Sequence, residues 1–267
     1  MNIGFLGAGN MGGAILRGYV EIAKKEGNKI FVFGVNHEKL KRTCEETCAT
    51  PCYEIGELVK NSDIFLVGVK PNKFEEVMPK VAQFYTDDKI CVSMAAGIKI
   101  SKIQSYLGDK AAITRIMPNT PAKVGLAMTS VSFNDNVKEK DKGILMEIFS
   151  SIGKAEVVDE SLIHTVIGVS GSSPAYTYMY IDALAKTAAD NGMDYEQAKI
   201  FAAQAVLGAA KMVLESDESP EQLRINVCSP GGTTIEAVEK LNELGFDDVV
   251  RQGFMAAFNK SAKMEEE

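Results

Sequence analysis

The chain has no tryptophan and only two histidines in 267 residues, and its 29 lysines and arginines are outnumbered by 36 acids, for a net charge of −7. An acidic balance without a basic, aromatic-studded patch argues against a nucleic-acid footprint. No apolar run approaches the ~18 residues that a membrane helix needs. The N-terminus, Met1-Asn2-Ile3-Gly4, enters a strand at once, with no charged leader or cleavage site, and so does not read as a signal peptide. Five cysteines are an odd count that fits reduced thiols and a cytoplasmic setting better than a disulfide framework. What remains is an apolar fraction of 46%, enough to build a real core in one large or two modest domains.

The order of elements is legible in the hydrophobic pattern. Strands are expected at Asn2–Leu6, Lys29–Phe33, Asp63–Val69, Lys89–Met94 and Ala111–Met117, with helices at Asn10–Lys25, Glu38–Glu46 and near Phe74–Phe84. This βαβ alternation predicts an α/β domain with a mostly parallel sheet covered by helices on both faces. Strand signals stop near Val158, and the rest reads as helix: Ser173–Asn191, Tyr195–Ser216 and Ile235–Leu244. We therefore expect a Rossmann-type domain over residues 1–160 and an all-helical domain over 161–267. The helix from Tyr195 is apolar around most of its circumference, with Ala202, Ala203, Val206, Ala209, Ala210 and Val213 on different faces. In so small a domain, that predicts burial against a second copy of the chain.

Two loops carry chemistry. Gly7-Ala8-Gly9-Asn10-Met11-Gly12 matches G-x-G-x-x-G, follows a strand and opens a helix, as a dinucleotide pyrophosphate requires. The second strand ends Phe33-Gly34-Val35-Asn36-His37, without the acid that would hold an NAD ribose. Glu38 falls inside the next helix, and His37, Lys39, Lys41 and Arg42 bring positive charge. This points to NADPH, with NADH also possible. Further strands end in Val67-Gly68-Val69-Lys70-Pro71, Ser93-Met94-Ala95-Ala96-Gly97 and Met117-Pro118-Asn119-Thr120-Pro121, all aimed at one crevice. The second loop, Ser229-Pro230-Gly231-Gly232-Thr233-Thr234, breaks one helix and starts another. A helix start offers open N–H groups and the positive dipole end, suited to a small carboxylate, with two hydroxyls beside it. An ordinary turn with a threonine N-cap is the plainer alternative.

These segments, together with RIMPNTPAKVG, VSGSSPAYTYMYIDALA, QAVLGAAKMVLE and PEQLRINVCSPGGTTIEAVEKL, resemble the pyrroline-5-carboxylate reductases along essentially the whole chain. The resemblance implies reduction of 1-pyrroline-5-carboxylate to L-proline with NAD(P)H, the last step of proline biosynthesis. It also implies a homodimer formed through the helical domain, often assembled into a decamer. Residue by residue, it assigns pyrophosphate and adenosine contacts to Leu6, Gly7, Ala8, Gly9, Asn10, Met11, Gly34 and Asn36. Gly68, Lys70, Met94 and Ala96 fall on the nicotinamide side. Glu160, Asn226, Gly232, Thr233 and Thr234 fall on the substrate side, with Asn226 near the cofactor as well. The chain departs from the family pattern at Val35, where many members have Arg, at Ile55 (Asn), Ser173 (Gly) and Ile225 (Asp). The first two bear on cofactor choice.

A protonated imine is already a good electrophile, so hydride transfer asks mainly for positioning. The proton is expected from solvent or from the Thr234 hydroxyl, and Glu160 is a candidate to act electrostatically on the cationic imine. His164, early in a helix, reads as structural. Cys44, Cys48 and Cys52 have no fourth ligand at zinc-like spacing and Pro51 interrupts them, so no metal is expected. Cys228 has no base beside it and reads as a small packed residue. A β-hydroxyacid dehydrogenase would need a base Lys early in its helical domain, but Gly171–Ala185 has none and the first is Lys186. A dinucleotide-binding protein without turnover is the non-enzymatic alternative.

Overall fold

A computed structural model describes residues 1–266. Eight strands form one sheet: β1 Asn2–Leu6, β2 Lys29–Phe33, β3 Thr50–Cys52, β4 Ile64–Val67, β5 Ile90–Ser93, β6 Ala112–Met117, β7 Ala127–Phe133 and β8 Gly153–Val157. Their order is β3-β2-β1-β4-β5-β6-β7-β8, parallel except where β7 runs antiparallel to β6. Helices α1 Asn10–Glu26, α2 His37–Thr47, α3 Ile55–Asn61, α4 Pro71–Ala82, α5 Ile100–Leu107 and α6 Glu139–Ser150 connect them. The chain then continues through α7 Ile163–Val166, α8 Ser173–Asp190, α9 Tyr195–Glu215, α10 Pro220–Val227, α11 Thr233–Glu243 and α12 Phe246–Glu266.

The alternation of strand side chains builds two cores, one on each face. Ile3, Phe5, Ile64 and Leu66 point to the face covered by α1 and α6, where Ile15, Leu16, Tyr19 and Phe149 pack. Leu6, Phe65 and Val67 point to the other, against Leu58, Phe74, Met78 and Ile103 of α3, α4 and α5. A strand buried on both faces must be apolar throughout, which is why β4 and β5 read as unbroken apolar runs.

The expected parallel sheet is present, with three strands that the pattern did not announce. β3 is three residues long and contains Pro51, tolerated because it lies at the sheet edge. β6 and β7 are joined only by a short 3-10 turn at Thr120–Val124. A parallel return needs a crossover of a dozen residues or so, hence the antiparallel pairing. β7 reaches β8 through α6 and is parallel to it. Helix α4 begins at Pro71, earlier than expected, with proline in the first turn where its missing N–H costs nothing.

The chain divides into two compact units. One comprises Met1–Gly171 and the chain from Ala257 onward, and the other Ser172–Ala256. The division therefore falls eleven residues beyond the expected boundary at 160, and the end of α12 belongs to the sheet unit. In the helical unit α8 and α9 pack against each other, and Tyr195 donates to Asp182 Oδ1 at 2.9 Å. No described helix is long and apolar enough to cross a membrane.

Candidate active site

In the sheet unit the strand order reverses direction between β1 and β4, and ligands of open α/β sheets bind in the crevice at such a point. The glycine loop leaves β1 there. Gly7 N donates to Phe33 O at 2.9 Å, tying the loop to the end of β2, and Gly68 N donates to Leu6 O at 2.9 Å, tying it to the end of β4. The glycines are sterically required. A Cβ on Gly12 would lie 2.4 Å from Gly7 O, and Gly7 itself has φ +99°. Gly9 is the N-cap of α1 and makes no side-chain cap, and the first turn carries no acid. The amides at the start of α1 thus remain open to an anion, which fits a pyrophosphate.

At the end of β2, where the adenosine is expected, Val35 stands 90% exposed in place of the family's Arg. Asn36 caps α2 by accepting from Lys39 N at 2.9 Å, so its Oδ1 already has a partner. His37 packs edge-on against Tyr53. Of the nearby cations, Lys41 and Arg42 pair along the helix with Glu45 and Glu46. Lys39 instead lines a cavity of about 440 Å³ with Ala8, Gly9, Asn10, Arg17 and Lys123. Lys123, just past the Met117–Pro121 strand end, joins this cavity through the fold and not through any sequence motif.

Register brings together the residues expected on the nicotinamide side. Val67 pairs with Ser93, so Gly68 and Lys70 leave the sheet beside Met94 and Ala96. Asn119 is a brace: Nδ2 donates to Ser170 O and Oδ1 accepts from Met128 N, both at 3.0 Å. Glu160 has two commitments, its Oε1 accepting from Ile100 N at 2.8 Å and from Arg115 Nη1 at 2.9 Å. It caps α5 and neutralises a buried guanidinium through Oε1 alone, and the side chain stays 30% exposed, with Oε2 outside both commitments. An Arg within the apolar strand Ala-Ile-Thr-Arg-Ile-Met was a signal of such buried pairing.

His164 places Nδ1 2.9 Å from Ser261 Oγ and packs against the Phe258 ring, a structural setting. Cys48 is not on the helix face with Cys44. It sits past the end of α2 with φ 55°, exposed, while Cys44 and Cys52 are buried. Burial raises the thiol pKa of Cys44 and pushes that of Cys52 up to about 12, leaving both protonated and inert. Among the described residues no group of three or more His, Cys, Asp or Glu is placed to hold a metal.

The helical unit carries the other motif. Gly232 N donates to Ser229 O at 3.0 Å, closing the turn, and Gly231 adopts φ +65°. The N-cap of α11 is Gly232 and not a threonine, with no side-chain cap bond. Thr233 and Thr234 therefore occupy the first turn, exposed, with their hydroxyls not spent on capping. Asn226, on α10, accepts from Gln222 Nε2 at 2.8 Å and donates to both Glu218 oxygens at 3.0 Å, which fixes its orientation. Cys228 is partly buried at the end of α10.

Comparison with known proteins agrees with both halves. Residues 160–264 match the family model for pyrroline-5-carboxylate reductase dimerisation, and residues 2–97 match that for coenzyme F420-dependent NADP oxidoreductases. The pyrroline-5-carboxylate reductase of Escherichia coli K12 is 42% identical over 98% of this chain and 97% of its own length. That of Glycine max is 35% identical over 98% and 95%. The solved structure of the Coxiella burnetii enzyme superposes with a TM-score of 0.92 at 31% identity, covering 98% of each chain. The NADP-bound Plasmodium falciparum enzyme gives 0.87 at 29% identity, covering 99% of this chain and 98% of that one. With a glycine loop at a sheet switch point, a glycine-capped SPGGTT turn, and relatives matched end to end, the chain belongs to the pyrroline-5-carboxylate reductase family.

Proposed function

We propose that the chain reduces 1-pyrroline-5-carboxylate to L-proline with a nicotinamide dinucleotide. The observation that carries this reading is the pairing, in one chain, of two open helix starts: one behind a G-x-G-x-x-G loop, the other behind Gly231-Gly232. The first suits a pyrophosphate and the second the carboxylate of a small imino acid. When bound, the dinucleotide supplies the hydride. The protein's share is positioning. Leu6–Met11 and Gly34 hold the pyrophosphate and adenosine, with Asn36 shaping that corner through its cap. Gly68, Lys70, Met94 and Ala96 shape the nicotinamide side. The amides of Gly232, Thr233 and Thr234 hold the substrate carboxylate. Thr234 Oγ1 hydrogen-bonds the ring nitrogen, and the proton comes from solvent or through this hydroxyl. Asn226, already fixed by Gln222 and Glu218, orients the substrate.

The cofactor is NADPH by modest preference, with NADH also used. No acid ends β2, and Lys39 lines the cavity beside the glycine loop, but Val35 withholds a second cation. The working form is a homodimer made through α8 and α9, and reduced cysteines fit a cytoplasmic setting. The test is steady-state turnover. Purified protein should oxidise NADPH on addition of pyrroline-5-carboxylate and form proline stoichiometrically. Protein that binds NADPH without consuming it would refute the reading.

A further inference from the structure

The end of α12 is bound into the sheet unit by a cluster of charges. Arg115, on β6, is 1% exposed, and its Nη1 lies 2.9 Å from Glu160 Oε1 and 2.8 Å from Glu265 Oε1. Its Nε and Nη2 have no hydrogen-bond partner among the described residues. The Glu265 side chain is itself 6% exposed and meets two further groups, the Lys99 ammonium Nζ at 3.1 Å and the His164 imidazole Nε2 at 3.3 Å. One side chain therefore touches β6, the N-cap of α5 and α7. Burial alone would push its carboxyl up. Its close ion pairs with Arg115 and Lys99 outweigh that and hold it below the usual range.

What these contacts enclose is the turn after β5. Ser93 pairs with Arg115 in the sheet, and the turn runs from Met94 to Lys99, the residue that caps α5. Gly97 has φ +76°, and a Cβ there would come within 2.7 Å of Met264 O, so the tail's backbone rests on the turn. Ser261 adds a third fastening point through His164. The tail also walls a cleft of about 770 Å³, with Pro71, Asn72, Ala96, Gly97, Lys99 and Glu265 in its lining. A buried ionic cluster is poor value as a source of stability, since its desolvation cost cancels much of its attraction. It is well suited to holding one geometry.

We propose that Glu265 is a positioning residue for the reductase, clamping the Met94–Lys99 turn in the shape that receives the nicotinamide. The proposal rests on the reading that Met94 and Ala96 lie on the nicotinamide side. Three variants test it: Glu265→Ala, Glu265→Gln, and Lys99→Met, which removes one arm and leaves the Arg115 pair in place. In the apoprotein, amide exchange over residues 94–99 should speed up in Glu265→Ala, with Glu265→Gln and Lys99→Met intermediate. NADPH affinity should fall about tenfold, while affinity for 2′-phospho-ADP-ribose, which lacks the nicotinamide, stays unchanged. Imine kcat/KM should fall about ten- to a hundredfold, the scale of an ångström-level misplacement. A lower Tm with unchanged exchange over 94–99 and unchanged turnover would make the cluster merely structural and overturn the proposal. Faster exchange with unaltered NADPH affinity and turnover would overturn it too, through the nicotinamide assignment. Failure of the reductase reading itself would show separately, as absent turnover in the unaltered protein.

Discussion

The sheet unit buries Ile3, Phe5, Phe65, Phe74 and Phe149 completely, whereas in the helical unit Met179, Ile200, Phe201 and Leu214 stand 63 to 72% exposed. Within Ser172–Ala256 the buried residues are the small Ala185, Ala198 and Ala202. The two units are equally regular in backbone but opposite in economy. The first closes its core with its own helices on both faces of a sheet. The second has helices whose large apolar side chains face outward. Apolar burial is worth roughly 25 cal/mol per Å², so such faces are strongly favoured to meet a partner. The match of this region to a dimerisation model has the same physical content.

The contrast is sharpest at α9. Ala205 and Ala209 are exposed in the single chain, so a charge at either leaves the isolated fold undisturbed. In a dimer interface the same charge would be buried unpaired, at a cost of several kcal/mol. Ala205→Glu should therefore abolish assembly, seen by sedimentation, while the sheet unit still binds NADPH. An unaltered oligomer would break the comparison.

A smaller effect should separate the two motifs. Thr234→Ala keeps the turn and removes one hydroxyl. It should lower kcat/KM for the imine about ten- to a hundredfold, equivalent to ~1.4–2.7 kcal/mol in the transition state. The dissociation constant of NADPH should hold, because its pyrophosphate belongs to the sheet unit. If cofactor binding weakened and turnover survived, the SPGGTT turn would belong to the nucleotide.

Next in size is cofactor choice. Lys39→Ala should weaken NADPH about tenfold or more, as loss of one charged hydrogen bond worth roughly 1.5–3 kcal/mol, and leave NADH unchanged. Val35→Arg should move the preference the other way. Equal losses for both cofactors would show that Lys39 serves the pyrophosphate and not a 2′-phosphate.

The smallest effects are those on stability. Cys48, with φ 55°, holds a left-handed conformation that costs a non-glycine residue about 1 kcal/mol. Cys48→Gly should raise the Tm slightly without touching assembly or kinetics. The carboxyl of Glu265 is depressed below its ordinary pKa of 4.5. Its contribution to stability is therefore complete above that ordinary value and is lost as pH falls through the depressed one. An acid titration of unfolding should show this loss, and Glu265→Gln should remove it.

Local pattern was sufficient for much of this molecule. The apolar run of β4 and the glycines of the G-x-G-x-x-G loop each act through neighbours in sequence. Elements and motifs were legible for that reason, as was the SPGGTT turn, though not that Gly232 caps it and frees the threonines. Three features depended on partners far along the chain. β7 pairs antiparallel because the Thr120–Val124 link is too short to cross over. Glu160 joins Arg115 across 45 positions, and Glu265 joins the same guanidinium across 150. Hydrophobic periodicity is a property of a single segment, so sequence sufficed for the elements. Which charges are buried together depends on how sheet and helices pack, and only the tertiary structure decided that.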